Sequence, residues 1–84
     1  MTNKKIELVL DILTQSIQIS NNSIIDIFVE FASHTNEVNI RIYLKGWGLQ
    51  PSPDVRRTIY LNWEESQEEL QEVIEYLKEI KEEK

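Results

Sequence analysis

Residues 24–45, IIDIFVEFASHTNEVNIRIYLK, decide the fold, because apolar and other side chains alternate on both sides of a short polar break. A period of two is typical of β-strands with one buried face. The pattern predicts strands over 24–32 and 38–45, joined by a hairpin loop over 34–37. This hairpin is the centre from which the remaining elements are placed.

A loop over 34–37 fixes the cross-strand pairs of the hairpin. Two pairs then join opposite charges and one joins two aromatic rings, which is favourable on one face of a sheet. The pairs are Glu30 with Arg41, Asp26 with Lys45, and Phe28 with Tyr43. A register shifted by two residues places Phe28 opposite Arg41, which is a poorer match, so the first register is expected.

Outward from the hairpin, the alternation returns over 55–61, which is predicted as a third strand. The intervening residues 46–54 hold both glycines and both prolines of the chain, which favours an irregular connection. The three strands are therefore expected to form an antiparallel meander.

Apolar residues at steps of three and four predict one amphipathic helix before the meander and one after it. The first covers 3–19, with an apolar stripe of Ile6, Val9, Leu10, Leu13 and Ile17. The second covers 63–81, with a stripe of Trp63, Leu70, Val73, Ile74, Leu77 and Ile80. Asn62 and Glu65 are expected to form a capping box at its start.

A chain of 84 residues is long enough for one domain, 1–84. We expect a two-layer α+β fold of order α-β-β-β-α, with a three-stranded antiparallel meander and both helices on its aliphatic face. The chain has no cysteine, which excludes disulfides and thiolate metal sites. Glu7 and Asp11 interrupt the N-terminal apolar segment, so neither a signal peptide nor membrane insertion is expected, and a cytoplasmic location follows.

Charge is distributed unevenly along the chain. The net charge is −6, and residues 64–84 carry all of it, with nine glutamates and three lysines. A helix of this kind suits a cationic protein partner, although a solvated face that maintains solubility has the same composition. The candidate partner-binding residues on this helix are Glu64, Glu65, Glu68, Glu69, Glu72, Glu75 and Glu79.

The sheet face without helices is a second candidate surface. Its expected residues include Phe28, Arg41, Tyr43 and Tyr60. Aromatic patches on exposed faces often mark contacts, so this face can join two copies or bind another partner. Ordinary cross-strand packing explains the same residues without any partner.

Trp47 is a third candidate, because it lies in the glycine-rich loop near Lys45 and Arg56. Tryptophan beside arginine is a favoured composition for binding hot spots. The alternative is that Trp47 folds over one end of the core.

The element order resembles that of double-stranded-RNA-binding domains. In that family, lysines at the start of the second helix contact phosphate, whereas residues 64–69 here are EESQEE and would repel it. No direct nucleic-acid binding is expected.

Nothing in the sequence points to catalysis. His34 is the only histidine and lies in the hairpin loop, where it has no cysteine or second histidine with which to bind a metal. No serine lies in a nucleophile motif, and the glutamates are too exposed for acid–base chemistry. We therefore expect no enzyme activity, no cofactor and no metal.

Size and charge together favour a small acidic protein-binding module that engages a basic surface through its C-terminal helix. Small acidic inhibitors of nucleic-acid enzymes, encoded by phages and mobile elements, resemble this chain in size and charge alone. An inhibitor or adaptor of that type is the leading hypothesis. The alternative is a structural homodimer joined through Phe28, Tyr43 and Tyr60.

Overall fold

The computed structural model describes residues 3–82, which form two helices and one three-stranded sheet. The elements are α1 (Asn3–Asn21), β1 (Asp26–Ala32), β2 (Glu37–Tyr43), β3 (Val55–Tyr60) and α2 (Ser66–Glu82), with a short 3₁₀ helix at Trp47–Leu49. The predicted α+β order is confirmed. The outermost residues of the predicted domain 1–84 lie outside the described part.

The sheet is an antiparallel meander in the order β1-β2-β3, so β2 is central and β1 and β3 are edge strands. The inner side chains of β2 form the middle of the core, since Val38, Ile40 and Ile42 are at most 1% exposed. This alternation of apolar and polar side chains places one face of β2 in the core and the other on the open side of the sheet.

Both helices cover the same face of the sheet. Side chains of α1 lie beside Ile27 and Val29 of β1, whereas side chains of α2 lie beside Ile40 and Val55 of β2 and β3. Helix α1 therefore covers the β1 half of the sheet and α2 the β3 half, as a two-layer fold requires. The opposite face of the sheet has no helix within residues 3–82.

The hairpin register differs by two residues from the predicted one. Phe28 lies opposite Arg41, and the loop comprises residues 33–36 rather than 34–37. Asn36 adopts a φ of 54°, in the left-handed region that asparagine tolerates better than most residues. Its carbonyl also accepts a hydrogen bond from the Leu61 N–H at 2.9 Å, which ties the loop to the end of β3.

Two of the three predicted cross-strand pairs still touch, but on the diagonal. Arg41 forms an ion pair with Glu30, and the rings of Phe28 and Tyr43 meet edge-on at 5.6 Å. Diagonal neighbours lie within reach of long side chains, so a register shifted by two residues still allows the charge pair and the aromatic pair to form. The third pair does not form, because Asp26 instead accepts a hydrogen bond from the Trp47 backbone N–H.

The core-facing side of α1 is not the predicted one. Leu8, Ile12 and Ile19 are buried in the core. The predicted stripe is largely exposed, with only Val9 packed against the core from its edge. The cause is that α1 carries apolar residues on two sides, and the larger set does not face the core. We call the exposed set the α1 outer stripe; its members are Ile6, Leu10, Leu13 and Ile17.

Helix α2 buries its predicted stripe from Leu70 to Ile80 but begins later than predicted. Trp63 lies before the helix and is 54% exposed. The expected capping box is absent: the Asn62 side chain accepts a hydrogen bond from Asn36, and the Ser66 hydroxyl donates to the Leu61 carbonyl. Two turns closed by Trp63 and Ser66 N–H groups replace the first predicted helical turn.

Candidate protein-binding surfaces

The exposed side of α2 carries most of the predicted acidic surface. Glu68, Glu75 and Glu79 are exposed on the helix, while Glu64 and Glu65 are exposed in the turn that precedes it. Within residues 3–82, none of these five carboxylates lies within 4.0 Å of a basic side chain. We call these five residues the acidic set.

Arg57 forms ion pairs with the other two predicted glutamates. It is the one charged residue in the inner row of β3, half-buried beneath α2. Its guanidinium lies 3.2 Å from a Glu72 oxygen and 3.8 Å from a Glu69 oxygen. Glu69 and Glu72 are thus partly engaged within the molecule. The sequence contained a sign of this contact, because Arg57 occupies an inward position of the predicted third strand, next to the acidic helix.

At one end of the open sheet face, three side chains form a compact cluster. The Arg41 guanidinium lies over the Phe28 ring, 5.1 Å from its centroid, and the Tyr43 ring packs edge-on against the same ring. Tyr43 is only 6% exposed, so it stabilises the sheet more than it presents a surface. Cross-strand packing therefore accounts for much of this end of the face.

Tyr60 lies at the other end of the open face, opposite Glu37 of β2. Its ring stacks on Trp63 with centroids 4.6 Å apart. Between Tyr60 and the Phe28 cluster runs a polar row, in which the Thr58 hydroxyl donates to the Asn39 side chain. The predicted aromatic residues consequently form two separate groups rather than one continuous patch.

The loop after β2 presents large apolar side chains to solvent. Trp47 is 62% exposed and Leu49, which the sequence analysis did not single out, is 81% exposed. The Trp47 ring meets Phe28 edge-on at 6.5 Å, so its base is anchored on the sheet while most of the ring stays exposed. Trp47 therefore does not close over the core.

Hydrogen bonds hold this loop in one shape. Gly46 has a φ of 91°, and a Cβ there would lie 3.1 Å from the Ile24 carbonyl oxygen. Any other residue at this position would have a strained backbone, whereas glycine adopts the conformation freely. The Asp54 carboxylate accepts bonds from the Leu44 N–H at 2.8 Å and the Gln50 side-chain amide at 3.1 Å. Both bonds hold the pKa of Asp54 below its ordinary value of 3.8, and the bond from the Leu44 backbone has the larger effect.

The structure brings together no set of metal ligands in the described part of the chain. No group of three or more histidine, aspartate or glutamate side chains within residues 3–82 is placed to hold a metal ion. His34 lies exposed in the hairpin loop, where the sequence predicted it. Neither described helix is long and apolar enough to cross a membrane.

A further apolar surface was missed by the sequence analysis. The α1 outer stripe lies beside the inner side chains of β1, and Phe31 of β1 is 53% exposed. The signal was present in the sequence, because α1 carries more apolar residues than one buried face needs.

Comparisons of this chain with protein-family models, with curated proteins and with solved structures find no match.

Proposed function

We propose that this chain is a small acidic protein-binding module that engages a basic protein surface through α2 and the turn before it. The acidic set carries this proposal, because its five carboxylates are exposed and unpaired within residues 3–82. Carboxylates arranged in this way attract a cationic surface and speed its association.

The spacing of the charges supports the same proposal. Glu68 and Glu72, and likewise Glu75 and Glu79, are like charges four residues apart on α2. Each such pair destabilises an isolated helix by about 0.2–0.5 kcal/mol, and Arg57 relieves only the first pair. An arrangement that lowers helix stability is better explained by a partner that supplies the missing positive charge.

The loop at Trp47–Leu49 supplies an apolar anchor that such a module needs. Charged contacts at an interface rim set association rate and specificity, while buried aromatic side chains provide most of the affinity. We assign Trp47 and Leu49 this second role. An inhibitor or adaptor of phage or mobile-element origin, acting in the cytoplasm without catalysis, is the form of the proposal that size and charge favour.

Charge-matched variants test the proposal. The chain is immobilised, incubated with host lysate at low and high salt, and compared with two double variants. Glu68→Gln with Glu75→Gln removes two charges from the acidic set, whereas Glu7→Gln with Asp11→Asn removes two from α1. We expect the wild type and the α1 variant to recover the same basic protein at low salt, and the α2 variant to recover much less of it.

The protein recovered is then purified and its affinity is measured against salt concentration. If affinity falls less steeply with salt concentration for the α2 variant than for the α1 variant, the proposal is supported. Equal loss in both double variants, or recovery that depends on neither, contradicts it.

A further inference from the structure

The edge of the molecule formed by α1 and β1 is apolar and exposed. Five of its side chains leave between 36% and 60% of their area in solvent. We call them the α1–β1 strip; they are the four residues of the α1 outer stripe, Ile6, Leu10, Leu13 and Ile17, together with Phe31. None of them is charged.

The strip lines two depressions along the edge formed by α1 and β1. One shallow depression is lined by Ile6, Leu10 and Phe31 together with other apolar side chains. A second lies between Leu13 on α1 and Val29 on β1. The inner row of β1, half-buried at Ile27 and Val29, is therefore only partly covered by α1.

The backbone of β1 is also unpaired on its outer side. Strand β1 bonds only β2, and no other strand of the described chain lies beside it. An edge strand of seven residues presents a row of N–H and C=O groups that can pair with another strand. An apolar strip next to an open strand edge is the arrangement used for strand addition.

We propose that this edge binds a second copy of the same chain. The two β1 strands pair antiparallel across a two-fold axis, which joins the sheets into one of six strands. The two copies of the α1–β1 strip then lie against each other on the helix-covered face. This surface differs from the open sheet face, and the inference does not depend on the acidic helix.

The strand itself explains why a second copy fits. The strand needed beside β1 has apolar side chains toward the helices, and β1 supplies them at Ile27, Val29 and Phe31, while its carboxylates lie on the open-face side. Its two carboxylates already accept hydrogen bonds, Asp26 from the Trp47 N–H and Glu30 from Arg41. A two-fold contact lets each copy cover the exposed strip of the other with the same residues.

The charge distribution agrees with this arrangement. Helix α2 and its glutamates lie over the β3 half of the sheet, away from β1. Pairing through β1 therefore places the two acidic helices on the outer sides of the dimer, where their repulsion is screened. A basic or acidic foreign partner finds no opposite charge on the strip.

The exposed apolar area of the strip is more than half of what a dimer needs. At roughly 150–250 Å² for a large side chain, the exposed fractions of the strip leave on the order of 500 Å² of apolar area. A standard interface buries about 800 Å² on each partner. The edge backbone of β1 and the half-buried side chains Val9, Ile27 and Val29 supply the remainder.

Sedimentation velocity over roughly 10 µM to 1 mM chain tests the inference, since this range brackets moderate dimer affinities. We compare the wild type with Leu10→Glu plus Ile17→Glu, two exposed positions whose change leaves the core intact. Ser52→Glu plus Gln71→Glu is the matched control, since it adds the same two charges at exposed positions that lie outside the strip. The expected result is a dimer for the wild type and the control, and a monomer with unchanged far-ultraviolet circular dichroism for the double variant.

Amide hydrogen exchange separates strand pairing from other contacts. The β1 amides that do not bond β2 should exchange at least tenfold more slowly in the wild-type dimer than in the double variant. A wild type that stays monomeric over the whole range overturns the inference, as does a dimer that survives the double variant or is lost equally in the control. Fast exchange of those amides in a dimer overturns the strand pairing.

Discussion

Arg41 and Phe28 lie directly opposite each other on neighbouring strands, and the guanidinium covers the ring at 5.1 Å from its centroid. The same guanidinium forms an ion pair with Glu30 on the diagonal. The Arg41 side chain therefore joins two of the outer-face residues of β1 to the central strand. Arg56 lies opposite Arg41 on the other side, where like charges face each other.

Arg41→Gln should destabilise the protein, because it removes the cation–π contact and the ion pair. We expect a loss of about 1 kcal/mol in the free energy of unfolding, measured by urea denaturation. Arg56→Gln is the control, with the same chemistry on the same sheet face. It should leave stability unchanged or raise it slightly, since it removes a like-charge pair. An equal loss in both variants contradicts the stabilising role assigned to the Arg41 contacts with Phe28 and Glu30.

Ile12→Ala and Leu10→Ala together test which side of α1 faces the core. Ile12 is fully buried, so its truncation should cost about 2–5 kcal/mol of unfolding free energy through lost burial and a cavity. Leu10 is 56% exposed, and its truncation should cost much less. Thermal and urea unfolding of both variants at low protein concentration measures the difference. The reverse order of stabilities is incompatible with the observed helix orientation.

Asn36 closes the hairpin with a left-handed backbone, which sets a requirement on its side chain. Asn36→Val should destabilise the fold by about 1–2 kcal/mol, because a β-branched residue is strained there. Thr35→Val, next to it in the same loop and with no positive φ, should have a small effect. If Asn36→Val and Thr35→Val are equally stable, the loop does not depend on this conformation.

Asp54 makes stability depend on pH in the acidic range. Its pKa is lowered in the folded chain by hydrogen bonds from Leu44 and Gln50, with a smaller effect of Lys45. The ionised form therefore stabilises the fold above the ordinary value of 3.8, and this contribution is lost as pH falls through the lowered folded pKa.

Asp54→Asn provides the test of that dependence. The variant should be less stable than the wild type at neutral pH, and the difference should shrink as pH falls below the ordinary carboxyl value. Urea denaturation across a series of pH values measures it, with Asp11→Asn as a control at a carboxyl outside the loop. A difference that is constant with pH contradicts the role of the ionised carboxylate.

The sequence was sufficient to predict the class and order of the elements, because the helical period of three to four and the strand period of two are each clear within the elements, although not at their ends. It was insufficient for the register. Side-chain preferences such as Glu30 with Arg41 are met both directly across and diagonally, and the deciding feature is the backbone of Asn36. Backbone geometry in a loop leaves no periodic signal.

The orientation of α1 was missed for a related reason. Periodicity finds the larger apolar stripe, yet the one that faces the core is set by tertiary packing of Leu8, Ile12 and Ile19. For the acidic surface, the placement of Glu68, Glu75 and Glu79 followed from helical spacing alone. The contact of Arg57 with Glu69 and Glu72 required the positions of β3 and α2 together.

The hydrogen bonds around Gln50 and Asp54 have a consequence for any recognition by the neighbouring loop. They link Leu44, Lys45 and Ser52 into one network, so the segment that carries Trp47 and Leu49 is already ordered in the unbound chain. Its conformational entropy is lost on folding rather than on complex formation. Preorganisation of this kind should appear as slow dissociation, with little structural change in the loop between the isolated chain and its complex.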